Sequence, residues 1–397
     1  MSRPAVHAAA LVAALAAVLS ATAGRAQISF APAVNYAAAT QPDGVAIAQF
    51  GGDNRPDLAV TADAPDRVEI RLNDGTGAFG APVAIPTGSG TSPHSLAALN
   101  FDADGDADLV VTLQNTNQVR FLVNNAGVFS LGAATGVGGT EPRYVAVGDL
   151  DGNGFPDVVT SNRTSGDVSV LLNSGGVLGA PATYPVDADP RSVALGRVDG
   201  DALLDIVVSG HDGRAVQVLL NNPSSPGVFL VGPSLSVGAQ LRPDGVDVED
   251  VDGDFDQDVV AGTSGNGLNF ATVFFNQGGG VFGPATNFPA GALNPGAVLV
   301  ADLDLDGRRD IAMVAQDSGL VAVLRNLGGG TFAAAVTLAV GTSPQALVGA
   351  DVDFNGGLDL ACVNQSSNTV SVLRNTAVVF ADGFASGNTS HWSVVAP

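Results

Sequence analysis

The segment Asp302-Leu-Asp304-Leu-Asp306-Gly-Arg-Arg-Asp310 runs directly into the apolar run Ile311-Ala-Met-Val314. Four carboxylates therefore stand at positions 1, 3, 5 and 9 of a loop that opens onto a strand. Working outward, the same nine-residue frame recurs at Gln49, Asn100, Asp149, Arg197, Asp250, Asp302 and Asp351, with spacings of 51, 49, 48, 53, 52 and 49 residues. A fixed period of this length is the mark of a repeat architecture.

Two flanking residues hold the register. A proline stands seven residues before position 1 in every copy: Pro42, Pro93, Pro142, Pro190, Pro243, Pro295 and Pro344. An asparagine follows 24 residues after position 1 in six copies (Asn73, Asn124, Asn173, Asn221, Asn326 and Asn375), and the fifth copy has Asn276 at 26. Each unit contains four short apolar runs, as in Tyr144–Val147, Asp157–Thr160 and the alternating Val168–Leu172, separated by turn residues. Alternation with period two, bounded by Gly, Asn and Asp, reads as β-strand. Four strands per unit, seven times over, predict an all-β, seven-bladed β-propeller with four-stranded antiparallel blades. Phe30–Tyr36 reads as a fourth strand without its own unit, and the seventh unit stops after its third strand, Val370–Arg374. The N-terminal strand is therefore expected to complete the last blade and remove the open seam.

Composition agrees. The 397 residues include 36 Asp but only 3 Glu, and all 16 basic side chains are Arg. A chain without Lys, poor in Glu and holding 51 Gly and 22 Pro is made for turns and strands rather than helices. The net charge of −23 opposes nucleic-acid binding. An apolar content of 46% argues for a packed core rather than disorder.

Ala8–Ser20 is an uninterrupted apolar run behind Arg3, followed by the small-x-small context Gly24-Arg25-Ala26, with Ala21-Thr22-Ala23 as a competing cleavage site. This reads as a secretory signal peptide, too short to span a bilayer. The expected organisation is a signal peptide at 1–26, a propeller at 27–377 and a short tail at 378–397. The mature chain is expected to be secreted, periplasmic or at the cell surface, monomeric and without a membrane span. The single Cys362, in an apolar run, excludes an internal disulfide framework.

Loops with Asp or Asn at positions 1, 3, 5 and 9 converge hard oxygen ligands on one point, which is what Ca²⁺ selects. Five copies carry full sets: Asn100, Asp102, Asp104 and Asp108; Asp149, Asp151, Asn153 and Asp157; Asp250, Asp252, Asp254 and Asp258; Asp302, Asp304, Asp306 and Asp310; and Asp351, Asp353, Asn355 and Asp359. About five structural Ca²⁺ ions are expected. The fifth copy has Phe255 at position 6, where Gly or Asn would ease the turn. The first copy keeps only Asp53 and Asp57, and the fourth begins with Arg197, whose guanidinium is expected to stand in for the cation. Asp-rich turns capped by their own side chains are the plainer alternative.

The unit Asp-x-Asp-x-Asp-Gly-x-x-Asp, apolar strand, Asn and Gly-Gly-x-Phe (Gly329-Gly-Thr-Phe332, Gly279-Gly-Val-Phe282) resembles the FG-GAP/VCBS repeat of integrin α subunits and many secreted bacterial proteins. The resemblance covers roughly residues 28–376. It implies a seven-bladed propeller with Ca²⁺ between the first and second strands, and a role in adhesion or recognition. The tail from Phe380 to Trp392 is similar to a short C-terminal motif of exported bacterial proteins.

No catalytic grouping is legible. The string Gly75-Thr-Gly-Ala-Phe-Gly80 matches a dinucleotide fingerprint but lies between strands, without the strand-to-helix context that chemistry needs. On the end of the propeller opposite the acidic loops, His94, Arg143 and Arg191 each follow a marker proline, and Arg242 lies nearby. They form a candidate face around the central channel for acidic glycans or carboxylates, which arginine forks bind; the plainer and preferred reading is that these arginines keep the loops soluble and pair with nearby Asp. The expected function is non-enzymatic recognition of an extracellular protein or glycan. The alternative is an extracellular lyase or hydrolase acting on polysaccharide. A channel-mouth cluster of His94 or His211 with a carboxylate and an aromatic platform would favour the enzyme.

Overall fold

The computed structural model describes residues 28–377, so both the signal-peptide and the tail expectations lie outside the described residues. Seven four-stranded antiparallel sheets form the blades. The third is typical: Pro142–Gly148 lines the channel, Asp157–Asn162 and Asp167–Leu171 follow, and Ala182–Pro185 forms the outer edge. The second strand of each blade is buried along its length, because it is covered by a neighbouring blade on either face; Asp157–Asn162 and Asp359–Asn364 are buried at every residue. Seven separate apolar cores fill the gaps between adjacent blades.

The ring closes as the sequence predicts. Val34–Ala37 pairs antiparallel with Thr369–Leu373, with Val34 opposite Val372 and Tyr36 opposite Val370. Phe30 then bridges to Asn375. That contact repeats in the other blades, where Asn73 meets Phe79, Asn276 meets Phe282 and Asn326 meets Phe332. The outer strand of most blades is thus split: the Gly-Gly-x-Phe segment anchors at the asparagine, and regular pairing resumes later, as at Thr286–Pro289.

The marker proline opens the inner strand. In six blades the residue before it is left-handed (Gln41, Ser92, Glu141, Asp189, Asn294 and Ser343, φ 49–60°). This sharp reversal lets its carbonyl accept from the turn after the second strand, as when Arg163 N donates to Glu141 O at 2.9 Å.

Candidate functional site: acidic loops and the opposite channel mouth

Each acidic loop is built on its position-9 aspartate. Asp57, Asp108, Asp157, Asp205, Asp258, Asp310 and Asp359 are all essentially inaccessible. In every blade one carboxylate oxygen accepts from the backbone N–H of loop position 2, as Asp310 Oδ2 does from Leu303 at 2.9 Å. The other accepts from the backbone N–H of the marker asparagine, as Asp310 Oδ1 does from Asn326 at 2.7 Å. Both bonds persist in the first and fourth loops, at Asp57 and Asp205. The position-9 carboxylate is therefore a structural knot whether or not its loop carries a full oxygen set.

The marker asparagine does the rest. Its Nδ2 donates to the position-8 carbonyl of its own blade and to the position-2 carbonyl of the preceding blade. Asn326 reaches Val251 at 2.8 Å, Asn375 reaches Leu303 at 2.7 Å, and Asn73 reaches Val352 at 2.7 Å across the closure. All seven asparagines do this, giving a closed ring of inter-blade hydrogen bonds. The spacing of these residues was visible in the sequence; their role was not, because it depends on contacts across more than 70 residues.

Burial pushes the position-9 carboxyls upward: Asp258 and Asp310 to about 7, and Asp157, Asp205 and Asp359 to about 6. Neighbouring loop carboxylates add to the rise, while the backbone donors oppose it.

Among the described residues, four loops gather three carboxylate oxygens within 4.8 Å of one another: Asp149, Asp151 and Asp157; Asp250, Asp252 and Asp254; Asp302, Asp304 and Asp306; and Asp351, Asp353 and Asp359. The second loop, with Asn100 at position 1, does not draw Asp102, Asp104 and Asp108 that close. The fifth loop keeps the common turn, since Phe255 adopts φ 76° in the left-handed region with its ring almost wholly in solvent. The sixth loop holds a buried carboxylate oxygen, Asp304 Oδ2, with no hydrogen-bond partner and with Arg325 Nη1 3.7 Å away. Arg308 pairs with Asp306 on the outer side. The donor set is hard oxygen throughout and fits a divalent cation of the calcium kind.

The Arg197 expectation needs correction. Its Nε donates to the Ala202 carbonyl within its own loop at 2.9 Å rather than to the loop carboxylates. A guanidinium does occupy the first loop instead: Arg55 lies 3.4 Å from Asp53 and donates to the Asn73 carbonyl at 3.4 Å. Arg55 stands at position 7 of its loop, the same position from which Arg308 pairs with Asp306 in the sixth.

At the opposite end, Arg143, Tyr144, Arg191, Asp244, Gln316 and Gln345 line one narrow polar cavity at the channel. His94 is buried beside it, its ring edge-on to Tyr144 at 5.4 Å. Burial, with Arg143 second, drives the His94 imidazole down to about 3, so it is neutral at physiological pH. Arg191 is bound by Asp189 and Asp244. Asp189 also takes Arg163 Nε at 2.9 Å and lies 3.3 Å from His211 Nδ1. Arg242 pairs with Asp212 at 2.8 Å, on the rim rather than in the cavity. Of the four ligand-face residues expected from sequence, the cavity takes in Arg143 and Arg191, His94 backs it, and Arg242 lies outside.

The fold and its loops define a seven-bladed repeat propeller with acidic loops between the first and second strands of its blades. FG-GAP-like repeats match residues 49–111, 100–160, 250–313 and 302–362, together more than half of the chain, and the chain belongs to that family. No curated protein matches the sequence. Similar solved structures include virginiamycin B lyase from Staphylococcus aureus (11% identity, TM-score 0.60, covering 87% of this chain and 99% of that one). Another is BBS1N in complex with ARL6DN (13% identity, TM-score 0.59, 88% and 97% covered). A third is a protein from Lactobacillus plantarum (14%, TM-score 0.57, 77% and 86%). At these identities the likeness is one of fold. Among the described residues no helix is long and apolar enough to cross a membrane.

Proposed function

We propose that this chain is an exported, calcium-stabilised propeller that serves as a non-enzymatic recognition module for an extracellular partner. The observation that carries it is the difference in character between its two ends. One end concentrates carboxylates, including the buried Asp304 Oδ2 that accepts no hydrogen bond and has only Arg325 at 3.7 Å, in loops whose hard-oxygen chemistry suits calcium. The other presents an arginine-lined mouth. Bound Ca²⁺ would be structural: it would neutralise repelling carboxylates, and among the described residues no histidine stands beside the loops. The family's typical extracellular setting and the apolar N-terminal run support export. The test is a surface-protein and glycan binding screen with Ca²⁺ present. Binding that vanishes with chelator, along with the fold's stability, supports the reading; a hydrolase or lyase turnover in the same screen sinks it.

One observation favours the second reading, an extracellular lyase or hydrolase. His211 lies 3.3 Å from Asp189 and 4.0 Å from Asp244, and a lyase shares the fold. Against it, Asp189 is already held by Arg163 and Arg191, and the aromatic ring at the mouth, Tyr144, packs on His94 rather than His211.

A further inference from the structure

The channel mouth is a circuit of paired charges with one member left over. Asp244 is taken by Arg191, and Asp43, on the neighbouring wall, accepts from Gln365 Nε2 at 2.6 Å. Asp189 is shared between Arg163 and Arg191. Among the described residues the Arg143 guanidinium makes no hydrogen bond or close ion pair, feeling Asp43 only through space, and its Nε is buried without a partner. His94, 7% exposed, likewise keeps Nδ1 buried and unpartnered. A buried donor left unmade is costly, so a guanidinium held here is poised for an acceptor from outside. The Nε–Nη edge is a fork that matches a carboxylate.

We propose that Arg143 is the docking point for a single carboxylate carried by a peptide segment of a partner protein, an inference that rests on the recognition reading. Size selects the group. The cavity measures about 50 Å³, room for roughly four waters, which is a carboxylate with its first carbon and not a pyranose ring. Its one aromatic, Tyr144, turns its ring onto His94 and offers no face for stacking a sugar. Charge selects the carrier. A chain of net charge −23 with Glu141, Asp189 and Asp212 around this mouth repels polyanions. The segment that reaches Arg143 is therefore neutral or basic overall and presents one acidic group, from a side chain or a free C-terminus.

The test uses calcium-loaded protein and two capped peptides, Lys-Gly-Glu-Gly-Lys and Lys-Gly-Gln-Gly-Lys, with binding read by calorimetry and by the arginine Nε–Hε resonances. A third peptide, Lys-Gly-Gln-Gly-Lys with a free C-terminus, distinguishes the two carboxylate sources. A carboxylate-bearing peptide is expected to bind about tenfold tighter than the capped Gln peptide and to shift the Arg143 resonance. Arg143→Gln abolishes the preference, while Arg55→Ala, at the other end, keeps it. If Arg143→Gln fails to fold, Arg143→Lys retains the charge without the fork and should lose most of the preference. Equal binding of the three peptides, or a preference that survives both Arg143 variants, overturns the proposal. Tetragalacturonate binding tighter than the Glu peptide through Arg143 overturns the peptide assignment. A partner whose binding ignores Arg143 overturns this site and leaves the recognition reading standing.

Discussion

The position-9 aspartate and the loop carboxylates before it look alike in sequence and do different work. Asp205, in the loop that begins with Arg197, receives the Val198 N–H at 3.0 Å and the Asn221 N–H at 2.8 Å. Asp205→Ala leaves both buried donors unmade and should cost about 2–5 kcal/mol, equally with and without Ca²⁺. Asp353→Ala, in a loop that gathers Asp351, Asp353 and Asp359, should lower the melting temperature in Ca²⁺ and change little without it. Parallel melting curves of the two variants, each with and without Ca²⁺, check both. Phe255 makes a separate point: its left-handed backbone strains a bulky residue that buries nothing. Phe255→Gly should therefore stabilise by up to about 1 kcal/mol in a denaturant titration.

At the scale of the element, one asparagine per blade adds a hydrogen bond to the preceding blade's loop, on top of the apolar core between them. Asn326→Ala removes the donors to Val251 and Arg309 and the acceptor for Gly328. It should destabilise by about 1–3 kcal/mol, with hydrogen exchange rising first in the Asp250 and Asp302 loops. How far such detail was readable differs by kind. Blade number, strand order and the closure by Val34–Ala37 follow from period and register, which are local patterns repeated often enough to be unmistakable. The Asn staple and the Arg143–Tyr144–Gln345 mouth join residues from different repeats, so no window of sequence contains them. The Arg197 expectation failed for the same reason: position in a loop does not give the direction of a long side chain, and Ala202 offered a nearer acceptor.

For the whole molecule, acidity is the organising fact. Of the 36 Asp, 24 lie in the seven loops, and burial holds Asp258 and Asp310 near 7, well above the ordinary aspartate value of about 3.9. In that interval the folded protein keeps protons that the unfolded chain has released, so metal-free stability should fall as pH rises from about 4 to about 7. Ca²⁺ should offset the loss by favouring the ionised carboxylates. Melting of metal-stripped protein across that range shows the slope. Calorimetric melting of metal-free protein titrated with Ca²⁺ tests the proposed calcium stabilisation. A site filled at a hundred times its dissociation constant adds about 2.7 kcal/mol, so the melting temperature should rise stepwise with Ca²⁺, and less so in Asp353→Ala. A melting curve that Ca²⁺ does not move would contradict the proposal.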